Sequence, residues 1–497
     1  MYDLVIRGGR VIDPETGFDA IADLAISAGR IAEIGPDLGP ALREIDAAGL
    51  IVAPGFIDLH GHGQSLPADR MQAFDGVTTS LELEVGAMPV AEWYAAQQNS
   101  RRLLNYGTAA SWIFARKAVM IGLNLTGGEQ AITTMGRGSE DLRWSFDAAT
   151  AAQAAQIVDM LREGIDAGAL GIGIPYAYAP GAGGKEMSLV CDLAAEKDVA
   201  TYTHVANMSN VDPRSSVEAY LSLIGLSAAT GAHMHICHLN STSLQDIERS
   251  VELIAKAQSQ GLRVTTEAYP YGTGSTVISA SFLNDPKLTE RTGTTLKDVE
   301  IVAEQRRLVD RADLDTRRSK DPAQLVLWHF LDTEENPEHQ RMLDLSVLMP
   351  GGVIGSDAMP WTNADGSIYE GDEWPLGADK TSHPRSSGTF TRFVRQYQRE
   401  RGAISLHEAL ARCTVMPAKI IESAAPIFAR KGRLQEGCDA DVVVFDYENL
   451  TERATFRQMN LPATGMKHVL VGGTAVIDGG ALVLDAAPGR PIKRGDQ

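Results

Sequence analysis

The sequence predicts an α/β protein: a (β/α)8, TIM-like barrel that carries a small β-sandwich formed by both chain termini. Three observations predict it. Both ends of the 497-residue chain read as alternating strands punctuated by Gly and Pro; the middle alternates short apolar strands with amphipathic helices; and histidines and carboxylates recur at the ends of those strands.

Composition narrows the class further. Hydrophobic residues make up 44% and charged residues 22% of the chain, an ordinary balance for a folded protein with a sizeable core. The formal net charge of -19 repels phosphate backbones and anionic lipid, and no basic stripe compensates, so nucleic acid is excluded as a partner. The opening "MYDLVIRGGRVID" alternates like a strand and lacks a basic region followed by an apolar one. No later segment reaches about 18 uninterrupted apolar residues, so neither export nor a membrane span is expected. Cys191, Cys237, Cys413 and Cys438 lie far apart with no CxxC pair, which fits cytoplasmic thiols better than a disulfide scaffold or a cysteine zinc site. The oligomeric state is left open, a homo-oligomer included.

Taken in order, residues 1–53 hold the strand-like "YDLVIRGGRVIDPETG" and "ADLAISAGRIAEIG". Residues 424–497 repeat the style with "ADVVVFDYENL" and "HVLVGGTAVIDGGALV", so the two termini are expected to share one β-domain. Residues 54–423 supply the barrel. Its candidate strands are "GFIDLH", "VTTSLELEV", "GALGIGI", "ATYTHV", "HMHICHL", "RVTTEAYP" and "GGVIGSD". Amphipathic helices such as "AATAAQAAQIVDMLREGIDAG" and "SLQDIERSVELIAKAQSQG" end in Gly. A doubly wound sheet fits less well, because no GxGxxG follows a first strand and the chemical residues are spread over many strand ends. The charged stretch at about 283–340 reads as a solvated helical insertion, with a lid over the strand ends as the alternative. The loop "WTNADGSIYEGDEWPLGADKTSHPRSSG" after Pro360 reads as a binding loop, because it follows an Asp at a strand end.

Barrel enzymes place their chemistry at the C-terminal ends of the strands. His60 and His62 end the first candidate strand, Glu82 and Glu84 the second, and His204, His238 and Asp357 later ones. Each has an ordinary structural reading: a satisfied core histidine at His204, a helix cap at Asp357, a polar strand-to-loop junction at the HGH pair. Glu82 and Glu84 share one face of a strand, and two buried carboxylates without a cation are costly. Nitrogen and carboxylate-oxygen donors suit zinc without excluding manganese, iron or cobalt. His233 and His235 read as structural, or at most as supports for other ligands. Cys237, turned away by strand alternation, reads as packing.

The order and wording of "PGFIDLHGH", "GVTT", "GALGIGIPYAYAPG", "THV", "HICHLN", "EAYPYGTGST", "IGSDAMP", "HPRSSGTFTR" and "KGRLQEGCDADVVVFD" resemble the amidohydrolase superfamily, and within it the D-aminoacylase (N-acyl-D-amino-acid deacylase) branch. The resemblance implies a zinc-type enzyme with one or two divalent ions, cleaving a linear amide of a small-molecule substrate. His204 and His238 would hold one ion, with His60 and His62 forming a second position, and Asp357 would be both ligand and acid/base. Tyr178 and Arg385 match positions associated with substrate recognition. Three positions depart from the pattern. Where the branch places a metal-binding Cys this chain reads "ELEVG", so Glu84 is the expected replacement, with Glu82 the alternate. A His motif that commonly ends in Lys ends in Asn240, and the Arg expected after the fifth-strand His is missing at Ala206 and Asn207. Related cyclic-amide hydrolases of the hydantoinase type use a carbamylated lysine from the fourth strand. None is present in "GALGIGIPYAYAPG", and Lys185 falls in the following loop. Amidases acting on other acyl compounds are a further alternative. A non-catalytic scaffold would predict eroded ligands, and they are intact.

Overall fold

The computed structural model of the protein describes residues 1–126, 132 and 134–497. Eight parallel strands form the barrel: β1 (Phe56–Asp58), β2 (Val77–Ala87), β3 (Asn105–Ser111), β4 (Gly171–Pro175), β5 (Ala200–His204), β6 (His233–Ile236), β7 (Val264–Ala268) and β8 (Val353–Ile354). Every residue of β2, β3, β4, β5 and β6 is buried. That is why they read as apolar runs: a parallel sheet is covered on both faces. The third strand is absent from the sequence-based set. Its composition, "NYGTAAS", is small and polar, so it carries no apolar run to find.

The helices follow their local signals. The segment Ala151–Asp166 starts on a capping box of Thr150 with Gln153, and Gly168, at φ +111°, follows its end. Ile247–Ser259 ends before Gly261, at φ +80°. Closure of the barrel between β1 and β8 depends on a few bonds beyond the strands themselves. His62 N donates to Ala358 O at 2.8 Å, and Ser356 N donates to the buried Asp58 carboxylate at 3.0 Å. This seam sets the HGH turn beside Asp357.

Both termini build a separate nine-stranded sheet, from Tyr2–Asp13 through Ile51–Pro54 at one end and Val442–Phe445 through Ala481–Leu482 at the other. Ile51–Pro54 pairs with Tyr2–Asp13 on one side and Val442–Phe445 on the other, stitching the termini together. The sheet wraps a cluster that includes Leu4, Ile6, Val11, Leu24, Val442, Val444 and Leu470.

The charged stretch differs from the helical insertion expected at about 283–340. A four-stranded antiparallel sheet begins at Thr273–Val277, directly after β7, and uses Leu325–His329, Val299–Ile301 and Arg306–Arg307. Much of its charge resides on the partly exposed helix Arg311–Lys320, while Trp328 and Val326 of the sheet are buried. The charges face solvent and the apolar face roofs the barrel mouth.

Candidate metal centre

Two histidine pairs meet at the barrel mouth around one carboxylate. Glu84 Oε1 lies 3.1 Å from His204 Nδ1 and 2.9 Å from His238 Nε2. Its Oε2 lies 3.3 Å from His60 Nε2 and 3.4 Å from His62 Nε2. Asp357 Oδ1 approaches the second pair at 3.5 and 3.4 Å, and those two imidazole nitrogens are 3.1 Å apart. Donors on zinc bonds of ~2.0–2.1 Å at tetrahedral angles stand roughly 3.3 Å from one another, so the spacing fits a ligand shell. The six side chains are nearly fully buried. They divide into two compartments that share Glu84: His60, His62 and Asp357 on one side, His204 and His238 on the other.

Strand geometry explains the convergence. Glu82 and Glu84 are two apart on β2 and share a face, but the strand ends in different surroundings along its length. Glu84 reaches the histidine quartet, whereas Glu82 accepts from His62 Nδ1 at 2.9 Å and fixes that ring with Nε2 free to ligate. Glu267, at the end of β7, holds His60 Nδ1 in the same way and is itself 3.3 Å from His235 Nε2. This role of Glu267 is not among those expected from the sequence. Its signal was present as the acid of "EAYP" at a strand end. Two of the six side chains sit in backbone conformations that non-glycine residues seldom adopt, His238 at φ +34° and Asp357 at φ +50°.

Cys237 packs in the buried core as expected, but it does not turn away from the cluster. Alternation stops where β6 ends at Ile236, and the Cys237 sulfur lies within 4.8 Å of donor atoms of His60 and Glu267. Burial keeps it a thiol.

Four carboxylates, Glu82, Glu84, Glu267 and Asp357, are buried together with the guanidinium of Arg385, and they raise His60 and His62 well above the ordinary imidazole range, so that without a metal ion these two rings carry the balancing protons that a divalent cation would replace. Burial would push Glu84 upward, but His60 and His238 hold it well below the usual carboxylate range. Asp357 is likewise lowered against burial, first by Arg385 and then by His60. Burial depresses His204, keeping its imidazole neutral as a ligand requires.

Arg385 is fully buried rather than a surface side chain. Its Nε donates to Asp357 O at 2.6 Å, Nη2 is 2.8 Å from Asp357 Oδ2, and its guanidinium lies 4.6 Å above the Tyr269 ring. Nη1 has no hydrogen-bond partner, and a side chain built at Gly274 would stand 3.9 Å from it. The loop after Pro360, expected to bind ligand, closes on itself through Thr362 and Thr381 and brings one of its own residues, Arg385, against Asp357 and Tyr269, behind the residues that line the cavity. Tyr178 does line the cavity, its hydroxyl 2.7 Å from Thr276 Oγ1 and its ring 5.4 Å from His204. Asn240 donates to the carbonyls of Tyr269 and Tyr271, bracing the turn after β7. Lys185 is exposed on a helix and takes no part.

Known proteins agree with this architecture. The chain is 29% identical to an N-acyl-D-glutamate deacylase of Alcaligenes xylosoxydans xylosoxydans, over 95% of this chain and 93% of the relative. It is 28% identical to a D-aminoacylase of the same organism, over 96% and 94%. Among solved structures, it resembles the N-acyl-D-glutamate deacylase of Bordetella bronchiseptica, a complex with zinc and a phosphonate mimic of the tetrahedral intermediate. The TM-score there is 0.75 at 26% identity, covering 99% of both chains. D-hydantoinase shares the fold, with a TM-score of 0.58 at 18% identity over 99% of both chains. The model described as "Amidohydrolase family" matches residues 43–253 and 239–477. With its two-compartment histidine and carboxylate cluster at the mouth of a parallel barrel, the chain belongs to the amidohydrolase family.

Proposed function

We propose that this protein is a metal-dependent deacylase that cleaves the linear amide of N-acyl-D-amino acids. The observation that carries the reading is Glu84 shared between two histidine pairs, with a carboxylate, Asp357, facing the same space. His60, His62, Glu84 and Asp357 would hold one divalent ion, and Glu84, His204 and His238 another, zinc being the ion that suits these donors. Bound there, the ion supplies a water activated near neutral pH and a polarised carbonyl. Asp357 takes the proton of the attacking water as the carbon–oxygen bond forms. It returns that proton to the amide nitrogen as the carbon–nitrogen bond breaks, releasing a carboxylate and an amine. Glu82 and Glu267 hold the His62 and His60 rings so that their Nε2 atoms face the same point. Nη1 of Arg385 lies just behind Gly274 on the cavity wall and would offer the substrate carboxylate a charge-assisted hydrogen bond where the glycine leaves space, next to the amine that Asp357 protonates. Tyr178 flanks the opposite side. The four cysteines, free and buried, support the reading of a cytoplasmic enzyme. No described helix is long and apolar enough to cross a membrane.

The test is a substrate panel with zinc-loaded protein: N-acetyl-D-amino acids, their L enantiomers, neutral amides and cyclic amides. The D compounds should be cleaved at least about tenfold faster in kcat/KM than the L compounds. Chelation should abolish the activity and zinc restore it. Arg385→Met should lower kcat/KM more for carboxylate-bearing substrates than for neutral amides. A panel led by neutral or cyclic amides would refute the assignment.

A further inference from the structure

The space directly over the ligand cluster is small, about 40 Å3. It continues, through the shared walls Met135, Tyr178, Met208 and Phe282, into an outer chamber of about 1040 Å3. That chamber sits at the upper end of the range for small-molecule sites and is far larger than an acetyl group requires.

The geometry of the centre says which half of the substrate points that way. Asp357 must lie beside the departing nitrogen, and Arg385, which would hold the carboxylate of the amine half, is locked to Asp357. The acyl half therefore leaves in the opposite direction, past His204. There the Tyr178 ring is 5.4 Å from the His204 ring, and Met208 Sδ is 3.1 Å from His204 Nε2. Tyr178 and Met208 are the walls that open into the outer chamber. Further out, Val277, Phe282, Leu142 and Phe146 form an apolar strip of a wall that elsewhere carries Arg214, Arg291 and Arg318. Leu142 and Phe146 are 52% and 57% exposed, which is unusual for large apolar side chains beside a concave chamber. Ala206 adds only a methyl to that wall.

We propose that the outer chamber receives the acyl group, and that the preferred substrates carry a bulky apolar acyl group, medium-chain alkanoyl or arylalkanoyl, rather than acetyl. The inference rests on the deacylase reading above. Burial of one methylene adds up to about fourfold in affinity, so even partial burial of the six methylenes that separate octanoyl from acetyl exceeds tenfold.

The experiment compares kcat/KM for N-acetyl-, N-octanoyl- and N-phenylacetyl-D-amino acids sharing one amine half, using the zinc-loaded full chain. At least one bulky compound should exceed acetyl by tenfold or more. Ser279→Trp, which fills the chamber from a partly exposed position, should reduce the octanoyl-to-acetyl ratio by at least tenfold. Phe146→Ser, on a side chain too exposed to matter for folding, should reduce the same ratio severalfold. An acetyl compound cleaved as well as or better than both bulky ones would overturn the proposal and leave the deacylase reading standing. A ratio unmoved by both substitutions would also overturn it. Failure to cleave any N-acyl-D-amino acid would refute the deacylase reading and this proposal with it.

Discussion

Replacing Glu84 with Gln separates a shared metal ligand from an ordinary buried acid. Each carboxylate oxygen faces two imidazole nitrogens, at 2.9 and 3.1 Å on one side and 3.3 and 3.4 Å on the other. Gln keeps the shape but offers a neutral oxygen to one histidine pair and an NH2 group to the other, and an NH2 group cannot ligate a cation. Loss of a mere supporting partner weakens metal binding about 10–100-fold. Loss of a direct ligand with its charge should exceed that, at least about 100-fold at the compartment that receives the NH2, or about 2.7 kcal/mol. The apo protein should lose stability too, because a carboxylate held below its ordinary range by His60 and His238 supports the fold, so the zinc-dependent gain and not the apo value reads the ligand role. The assay is denaturant unfolding with and without zinc, together with metal content by elemental analysis. At zinc concentrations 100 times Kd, wild-type protein gains about 2.7 kcal/mol from binding. Glu84→Gln at the same zinc concentration should gain less than about 1 kcal/mol over its own apo form. Undiminished zinc stabilisation, with unchanged metal content, would refute the shared-ligand reasoning.

Asp357→Asn should cut turnover on any amide substrate at least about a hundredfold while the His204/His238 compartment keeps its metal, checked by kinetics beside elemental analysis; near-normal turnover would remove Asp357 from proton transfer. Glu82→Gln should weaken metal binding about 10–100-fold through the loosened His62 ring, measured by chelator competition, and unchanged affinity would rule out an orienting role. Asp75 tests pH linkage away from the site. Its carboxylate accepts from Phe390 N and Thr391 N, and burial raises its pKa to about 7. A raised carboxylate makes the folded state bind its proton more tightly than the unfolded chain does, so wild-type stability falls as pH rises from the ordinary carboxylate range to about 7. Asp75→Asn lacks that contribution. Relative to the variant, wild type should lose about 2–3 kcal/mol between pH 5 and pH 8, read from denaturant unfolding at each pH; parallel curves would contradict it.

Much of the barrel was legible in the sequence, because the signals are local. An apolar run ended by a polar ligand-type residue marks β1, β2, β5 and β6, and alternation around Gly-Gly turns marks the terminal sheet. The six ligand-type residues were readable from residue type at strand ends. β3 was not, since "NYGTAAS" is buried by its neighbours rather than by its own hydrophobicity. Nor was the insertion's sheet, whose charged outer helix dominated the local composition. Only the tertiary structure shows which of Glu82 and Glu84 meets the histidine quartet. Both share one strand face, and what separates them is which histidines arrive from β1, β5 and β6, a contact across 120 and 154 residues in the case of His204 and His238. The same holds for Glu267 behind His60, Arg385 behind Asp357, and the reorientation of Cys237. Sequence sets the residue types and their local periodicity, whereas pairing partners, and the left-handed turns at His238 and Asp357 that aim the ligands, depend on barrel closure and are encoded in no single segment.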